Sequence, residues 1–325
     1  MSFSAVFGHE KEIGILKSAI ERDRIAHAYL FFGMEGIGKR AIALAFAKTL
    51  LCSAVVHADS CDRCPSCLKF DHGNHPDMAI IEADGAFIKV QAVREMMSAM
   101  AFRPLEGGKR IFLIDDADKM NPASANALLK TLEEPSPANI LLLVTSRAHR
   151  LPLTILSRCQ QFRFNPLRRE DIRRFLEQRF SLECGAAETL ASSAGGSIGR
   201  ALQLNRDDYL KIRDDLMDYL AQNRETNPLE TLFLIDFIGR DKKTLADKLD
   251  VLRTCFRDVL VYRELGKREV LINPDRVDVI QGLVERSTAQ GMVKNLRILD
   301  RLTRALEQNA NKTLTLEAAM FRLAL

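Results

Sequence analysis

Five short apolar runs, separated by stretches with helical spacing, occupy the first half of the chain: Ala28-Tyr29-Leu30-Phe31-Phe32, Met78-Ala79-Ile80-Ile81, Ile111-Phe112-Leu113-Ile114, Ile140-Leu141-Leu142-Leu143-Val144 and Gln161-Phe162-Arg163-Phe164. Apolar runs of this length, flanked by Gly, Asp or Ser, suit strands buried on both faces and predict a parallel sheet with crossover helices. Beyond Asn165-Pro166 the pattern changes. Arg168 to Arg179 and Glu183 to Ser193 read as helices, and the turn Gly195-Gly196-Ser197-Ile198-Gly199-Arg200 opens another. From Asp207 onward only helical spacing remains, as in Leu245, Leu249, Leu252, Phe256 and Val259, or Leu296, Leu299, Leu302 and Leu306. The pattern predicts an α/β core over residues 1–165, a small helical domain over 166–205 and an all-helical domain over 206–325. No internal repeat or low-complexity segment interrupts it.

With 325 residues, 47% of them hydrophobic and 28% charged, the chain is long and apolar enough for several buried cores, which excludes a disordered or stapled miniature fold. The formal net charge is only +4, aromatics are 6% and there is no Trp, so the whole-chain balance carries no strong nucleic-acid footprint and any DNA contact must come from local patches. A local cluster, Arg168, Arg169, Arg173, Arg174 and Arg179, is offset by Glu170, Asp171 and Glu177 and reads as a solvated helix face. No uncharged apolar run approaches the ~18–20 residues of a membrane span, and Met1 to Glu10 lacks a signal-peptide layout; a cytoplasmic protein without a membrane partner is expected.

The first predicted strand runs into Gly33-Met34-Glu35-Gly36-Ile37-Gly38-Lys39-Arg40, followed by the helix-forming Ala41-Ile42-Ala43-Leu44-Ala45. This G-x-x-x-x-G-K in a strand–loop–helix setting is a phosphate loop: the glycines expose backbone N–H groups to phosphate, and Lys39 reaches the β and γ oxygens of ATP or ADP. Gly36-x-Gly38-x-x-Ala41 also fits a dinucleotide turn, but Lys39 and a later acidic strand end favour the phosphate loop. The eighth position should be a Ser or Thr whose hydroxyl ligates Mg²⁺. Here it is Arg40, which has no acceptor atom, so hydrolysis is expected to suffer more than nucleotide binding. The strand ending at Ile114 is followed by Asp115-Asp116-Ala117-Asp118. Asp115 stands where a Mg²⁺-holding carboxylate belongs, and Asp116 where motor ATPases carry a Glu that orients water. Its missing methylene shortens the reach by roughly 1.5 Å, and misplacement on that scale can cost about 10²-fold in rate. Little or no ATP turnover by this chain alone is expected.

Cys52, Cys61, Cys64 and Cys67 form C-x8-C-x2-C-x2-C in a polar insert that follows the phosphate-loop helix. Four thiolates at this spacing predict a closed tetrahedral Zn²⁺ site with a structural role; a redox C-x-x-C pair would need only two of them. His57, His72 and His75 are surplus to that site and read as loop or surface residues, while Cys159, Cys184 and Cys255 read as small buried hydrophobes.

The stretch Asn126-Ala127-Leu128-Leu129-Lys130-Thr131-Leu132-Glu133-Glu134-Pro135, with Leu143-Val144-Thr145-Ser146, Leu156-Ser157-Arg158-Cys159 and Phe162-Arg163-Phe164 after it, resembles the bacterial clamp-loader ATPases. His27-Ala28-Tyr29-Leu30-Phe31, the four-Cys insert, and Asn309-Ala310-Asn311 with Leu316-Glu317 extend the resemblance over essentially the whole chain. It implies an AAA+ core, a helical lid and a C-terminal collar that joins five subunits in a ring, with motor subunits, a further delta-type subunit, the sliding clamp and primed DNA as partners. It also implies that Arg158 is an arginine finger acting in the neighbouring motor's nucleotide site. Spacing alone reads Arg158 as a surface arginine before an edge strand. By the same resemblance Thr145 and Ser146 occupy the position called sensor 1, Arg200 that called sensor 2, and Val6-Phe7-Gly8-His9 the adenine-pocket segment. Two other readings stay open at this point, a complete motor ATPase and a zinc-dependent nucleic-acid-binding module.

Overall fold

The computed structural model describes residues 2–106, 108–206, 209–222, 228–239, 244–308 and 310–323; Met1, Asp207 and Asn309 of the sequence patterns above lie outside them. Five strands, β1 (Ala28–Gly33), β2 (Met78–Ile81), β3 (Arg110–Ile114), β4 (Asn139–Thr145) and β5 (Gln160–Phe164), alternate with helices α1 (Glu10–Glu21), α2 (Lys39–Leu51), α3 (Pro65–Asp71), α4 (Val90–Met100), α5 (Pro122–Glu133) and α6 (Leu153–Leu156). After β5 the elements are all helical: α7 (Arg169–Phe180), α8 (Cys184–Ser193), α9 (Ile198–Arg206), α10 (Tyr209–Gln222), α11 (Pro228–Gly239), α12 (Leu245–Leu265), α13 (Val277–Arg286), α14 (Ala289–Glu307) and α15 (Lys312–Met320).

All strand pairs are parallel, in the order β2-β3-β4-β1-β5. The predicted strands are therefore the observed ones, and the apolar runs explain the order. Every residue of β4, in the middle of the sheet, is buried, whereas edge strand β5 alternates, with Phe162 and Phe164 inward and Gln161 and Arg163 exposed. Successive residues of β1 serve opposite faces. Tyr29 and Phe31 join Phe46 and Phe162 on one side, and Leu30 joins Phe112, Leu128 and Leu143 on the other. The register pairs Phe32 with Thr145 and Ile81 with Ile114, so the carboxyl ends of β1, β4, β3 and β2 form one edge. Ligands of open α/β sheets bind at that edge.

The chain divides into two compact units, Met1–Ile172 with Gly196–Gly199, and Arg173–Gly195 with Arg200–Leu325. The first holds the five-stranded parallel sheet and its α/β fold. The second is helical among its described residues. Its longest helix, α12, buries Leu249, Leu252, Phe256 and Val259, the positions that helical spacing singled out. Buried polar anchors fix its connections: Asp258, fully buried, accepts from the backbone N–H groups of Ile272 and Asn273, and Arg213 bridges Asp214 and Asp275 at 2.8 and 2.7 Å. No helix among the described residues is long and apolar enough to cross a membrane.

Candidate functional site

The phosphate loop connects β1 to α2, and its backbone takes the form that glycine allows. Gly36 and Gly38 have φ of +74° and +101°, and Gly38 caps α2. The first N–H groups of α2 have no partner within the helix, which suits them to an anion. A Cβ at Gly36 would stand 2.4 Å from Ser197 Oγ, because residues 196–199 fold onto the loop. Ser197 Oγ donates to the Glu35 carbonyl at 2.9 Å, and the Gly199 N–H to the Gly36 carbonyl at 2.8 Å. Beneath the loop, buried His9 has Nε2 2.8 Å from the Ile37 carbonyl and its ring edge against Phe164.

The charged residues of the loop face one another. Lys39 is buried and donates to the Met34 carbonyl at 2.6 Å; burial pulls its ammonium below the usual lysine value, against the opposing pull of Glu35, Asp115, Asp116 and Asp118. Arg40 points its Nε at Asp115 Oδ2, 2.8 Å away, and Nη2 at Glu82 Oε1, 2.5 Å away. Burial pushes the Asp115 carboxyl up, and Arg40 is the largest opposing influence. The Mg²⁺ that a phosphate loop implies does not fit this donor set: the position of its hydroxyl ligand carries a guanidinium, and that guanidinium covers the acid on the facing strand.

Around this centre, Asp116 adopts the left-handed conformation with φ of +48°, caps the short turn Ala117–Lys119 and pairs with Lys119 at 2.8 Å. Thr145, fully buried at the end of β4, donates through Oγ1 to Asp118 at 2.5 Å and accepts from the Arg147 N–H. Sequence reasoning brought Gly33, Gly36, Gly38, Lys39, Arg40, Asp115, Asp116 and Thr145 to this edge but missed Glu82, Asp118 and Ser197. Glu82 carried a readable signal, an acid directly after an apolar run, as at Asp115.

Arg158 follows α6, and its guanidinium is tied to Glu133 Oε1 at 2.9 Å and to the Thr154 carbonyl at 2.9 Å, with the side chain about one-third exposed. Arg200, in the helical unit, faces Asp247 at 2.9 Å and Asp250 at 3.6 Å on α12. The helix-face arginines Arg168, Arg174 and Arg179 are exposed, while Arg169 and Arg173 are half-buried, Arg173 pairing with Glu177 and Glu188.

The four insert cysteines come together, their Sγ atoms all within 4.8 Å of one another. Cys52 Sγ lies 3.6 Å from Cys61 Sγ and 3.9 Å from Cys64 Sγ. Backbone N–H groups of Ala54, Cys64 and Cys67 donate to Cys52, Cys61 and Cys64 sulfurs at 3.4 Å, an arrangement that stabilises thiolates. Burial disfavours the Cys64 thiolate, yet bonds with Ser53 and Cys67 outweigh it and bring the thiol down to about 5. This donor set fits a metal ion. Lys48, its side chain fully buried on α2, anchors the insert through Asp62 at 2.5 Å and Asp71 at 2.7 Å, and Asp59 accepts from the Phe3 and Ser4 N–H groups. His75 lies in the loop between α3 and β2, as expected, and is buried there, with Ser66 and the Asp77 N–H satisfying both ring nitrogens. One expectation is corrected here. Cys184 is exposed at the start of α8, whereas Cys159 and Cys255 are buried as expected.

Comparison with known proteins gives two family matches, "DNA polymerase III, delta subunit" over residues 8–168 and "DNA polymerase III, delta subunit, C terminal" over residues 207–324. The DNA polymerase III subunit delta' of Bacillus subtilis (strain 168) is 31% identical over 302 residues, covering 91% of this chain and 90% of that protein. The subunit delta' of Pseudomonas aeruginosa is 42% identical over 142 residues, 43% of each. The DNA polymerase III subunit tau of Escherichia coli (strain K12) is 38% identical over 208 residues, 62% of this chain but only 32% of that protein.

Proposed function

The chain belongs to the DNA polymerase III delta' family of clamp-loader subunits, and from that premise we propose that it serves its cytoplasmic ring as a scaffold that does not itself turn over ATP. The observation that carries this reading is the Arg40 guanidinium seated on Asp115 and Glu82: it stands where a motor has the hydroxyl that ligates Mg²⁺, and it pairs with the carboxylate that a motor turns toward that ion. Asp116, held by Lys119 in a left-handed turn, supports it at the second catalytic position. Thr145 spends its hydroxyl on Asp118.

Arg158 would act in trans, entering the nucleotide site of a neighbouring tau/gamma-type motor. A finger of this kind is worth on the order of 10³–10⁵ in rate. The partly exposed pair with Glu133 holds the guanidinium at the surface for a cost of about 0.2–1 kcal/mol to break, small against that gain. The helical second unit would supply the collar contacts, and Arg200, paired with Asp247 and Asp250, would stiffen that unit. The ring would open the sliding clamp and place it on primed DNA.

The four-cysteine site would hold structural Zn²⁺. Zn–S bonds of about 2.3 Å in a tetrahedron separate the sulfurs by about 3.8 Å, and the separations of Cys52 from Cys61 and from Cys64, 3.6 and 3.9 Å, bracket that value. Gly33, Gly38, Lys39 and Asp115 taken alone favour an ATP-hydrolysing motor. Turnover by the purified chain with Mg²⁺ separates the two readings: the scaffold gives none above background and raises turnover when added to motor subunits, whereas robust hydrolysis by the chain alone overturns it.

A further inference from the structure

We infer that the phosphate-loop site of this chain takes a nucleoside di- or triphosphate without a divalent cation, the Arg40 guanidinium being the resident cation in its place. The inference deepens the scaffold reading and rests on it only in that both leave the site without turnover.

The loop keeps what phosphate binding needs from the backbone. Gly36 and Gly38 hold positive φ, and α2, thirteen residues long, presents its unpartnered first N–H groups to the edge of the sheet. Lys39 stands at the first helical position. What has changed is the cation. In an ordinary phosphate loop a hydroxyl at position 40 and the carboxylate of Asp115 face a hydrated Mg²⁺ that neutralises the phosphates. Here the side chain at position 40 brings its own charge to the same carboxylate, 2.8 Å away, and extends past it to Glu82 at 2.5 Å. Both acids come from adjacent strand ends, because Ile81 and Ile114 are register partners.

Three consequences follow for an incoming nucleotide. Asp115 and Glu82 are neutralised in advance, so a phosphate chain without metal is not repelled by bare carboxylates. A divalent ion, by contrast, would have to displace the half-exposed guanidinium from its two carboxylates and then sit beside it, like charge against like. And a guanidinium has five N–H donors, so the two spent on the acids leave others for a phosphate oxygen. Lys39, now bound to the Met34 carbonyl, exchanges that neutral acceptor for a charged one when phosphate enters.

The test is ADP binding to the full chain by calorimetry, in excess Mg²⁺ and in excess EDTA, for the wild type and for Arg40→Thr and Arg40→Ser. Wild-type affinity should agree within about threefold between the two conditions. Both variants, which restore a hydroxyl and free Asp115, should bind at least about tenfold more tightly with Mg²⁺ than with EDTA. Wild-type binding that is tenfold tighter with Mg²⁺, or no wild-type binding in either condition, overturns the inference. So do variants that fold, as judged by an unchanged thermal transition, and yet show no gain of Mg²⁺ dependence. ATP turnover recorded on the same samples keeps the two readings apart: Mg²⁺-dependent binding without turnover removes this inference and leaves the scaffold standing.

Discussion

Lys48 offers a measurable handle on how the cysteine insert is held. Its ammonium is fully buried at the end of α2, 2.5 Å from Asp62 and 2.7 Å from Asp71. Lys48→Met keeps the aliphatic stem and removes the charge. Two charge-assisted bonds of about 1.5–3 kcal/mol each are lost. The aspartate side chains are 46% and 39% exposed, so they regain water and retain much of that energy. Relief of the buried ammonium offsets part of what remains. The net expectation is a destabilisation of about 1–2 kcal/mol, or about 2–8 °C in the midpoint of thermal unfolding for a unit of this size. If the insert's order supports its metal, the same energy weakens metal retention about 5–30-fold in competition with a chromogenic chelator. The pH dependence has a definite sign. Burial acts to raise Asp62 and Asp71, but the bonds from Lys48 outweigh it and hold both carboxyls below the usual range. Their stabilisation is complete above the unfolded value near 3.9 and fades as pH falls through the lower folded values. Lys48, raised by the same bonds against burial, keeps its share until the solution becomes strongly alkaline. The difference between Lys48→Met and wild type should therefore shrink in acid. An unchanged midpoint together with unchanged metal release would refute the reasoning.

Two further outcomes test other parts of the account. Gly36→Ala should cost about 1–3 kcal/mol, because its Cβ would meet Ser197 Oγ at 2.4 Å, whereas Gly73→Ala, at nearly the same φ but with nothing within 4 Å, carries backbone strain alone; equal losses of denaturant midpoint for the two would contradict the seating of residues 196–199 on the loop. Titration of metal-loaded native protein with an aromatic disulfide should modify Cys184 quickly and leave Cys159 and Cys255, whose thiols burial pushes up to about 12, unreacted. Rapid reaction of more than one thiol would contradict the observed burial.

The sheet was legible because its strands are apolar runs bounded by turn formers, and the centre-to-edge difference appears directly in the contrast between Ile140-Leu141-Leu142-Leu143-Val144 and Gln161-Phe162-Arg163-Phe164. The loop and the cysteine cluster were legible because their chemistry is set by local spacing. Long-range pairings were not. That Arg40 lacks a hydroxyl is visible in the chain; that it covers Asp115 and reaches Glu82 depends on the pairing of β2 with β3. Lys48 looks like any lysine in a last helical turn, and only the folded insert makes it a buried anchor. That the loop residue His75 is buried was not legible, because burial of a histidine depends on partners, here Ser66 and Asp77, that sequence spacing does not advertise. Cys184 was misread for the opposite reason: a small residue at the first position of a helix has no apolar neighbour that obliges it to be inside.

The central claim, a scaffold that lends its arginine to a neighbour, is tested most directly by steady-state ATP turnover of the reconstituted clamp loader carrying Arg158→Ala or Arg158→Lys in this subunit. The account predicts intact ring assembly with turnover at the neighbouring site reduced by about 10³-fold or more for alanine. Lysine, which keeps the charge but loses the planar fork, should recover little of it. Turnover that Arg158→Ala leaves unchanged in an assembled ring would contradict the claim.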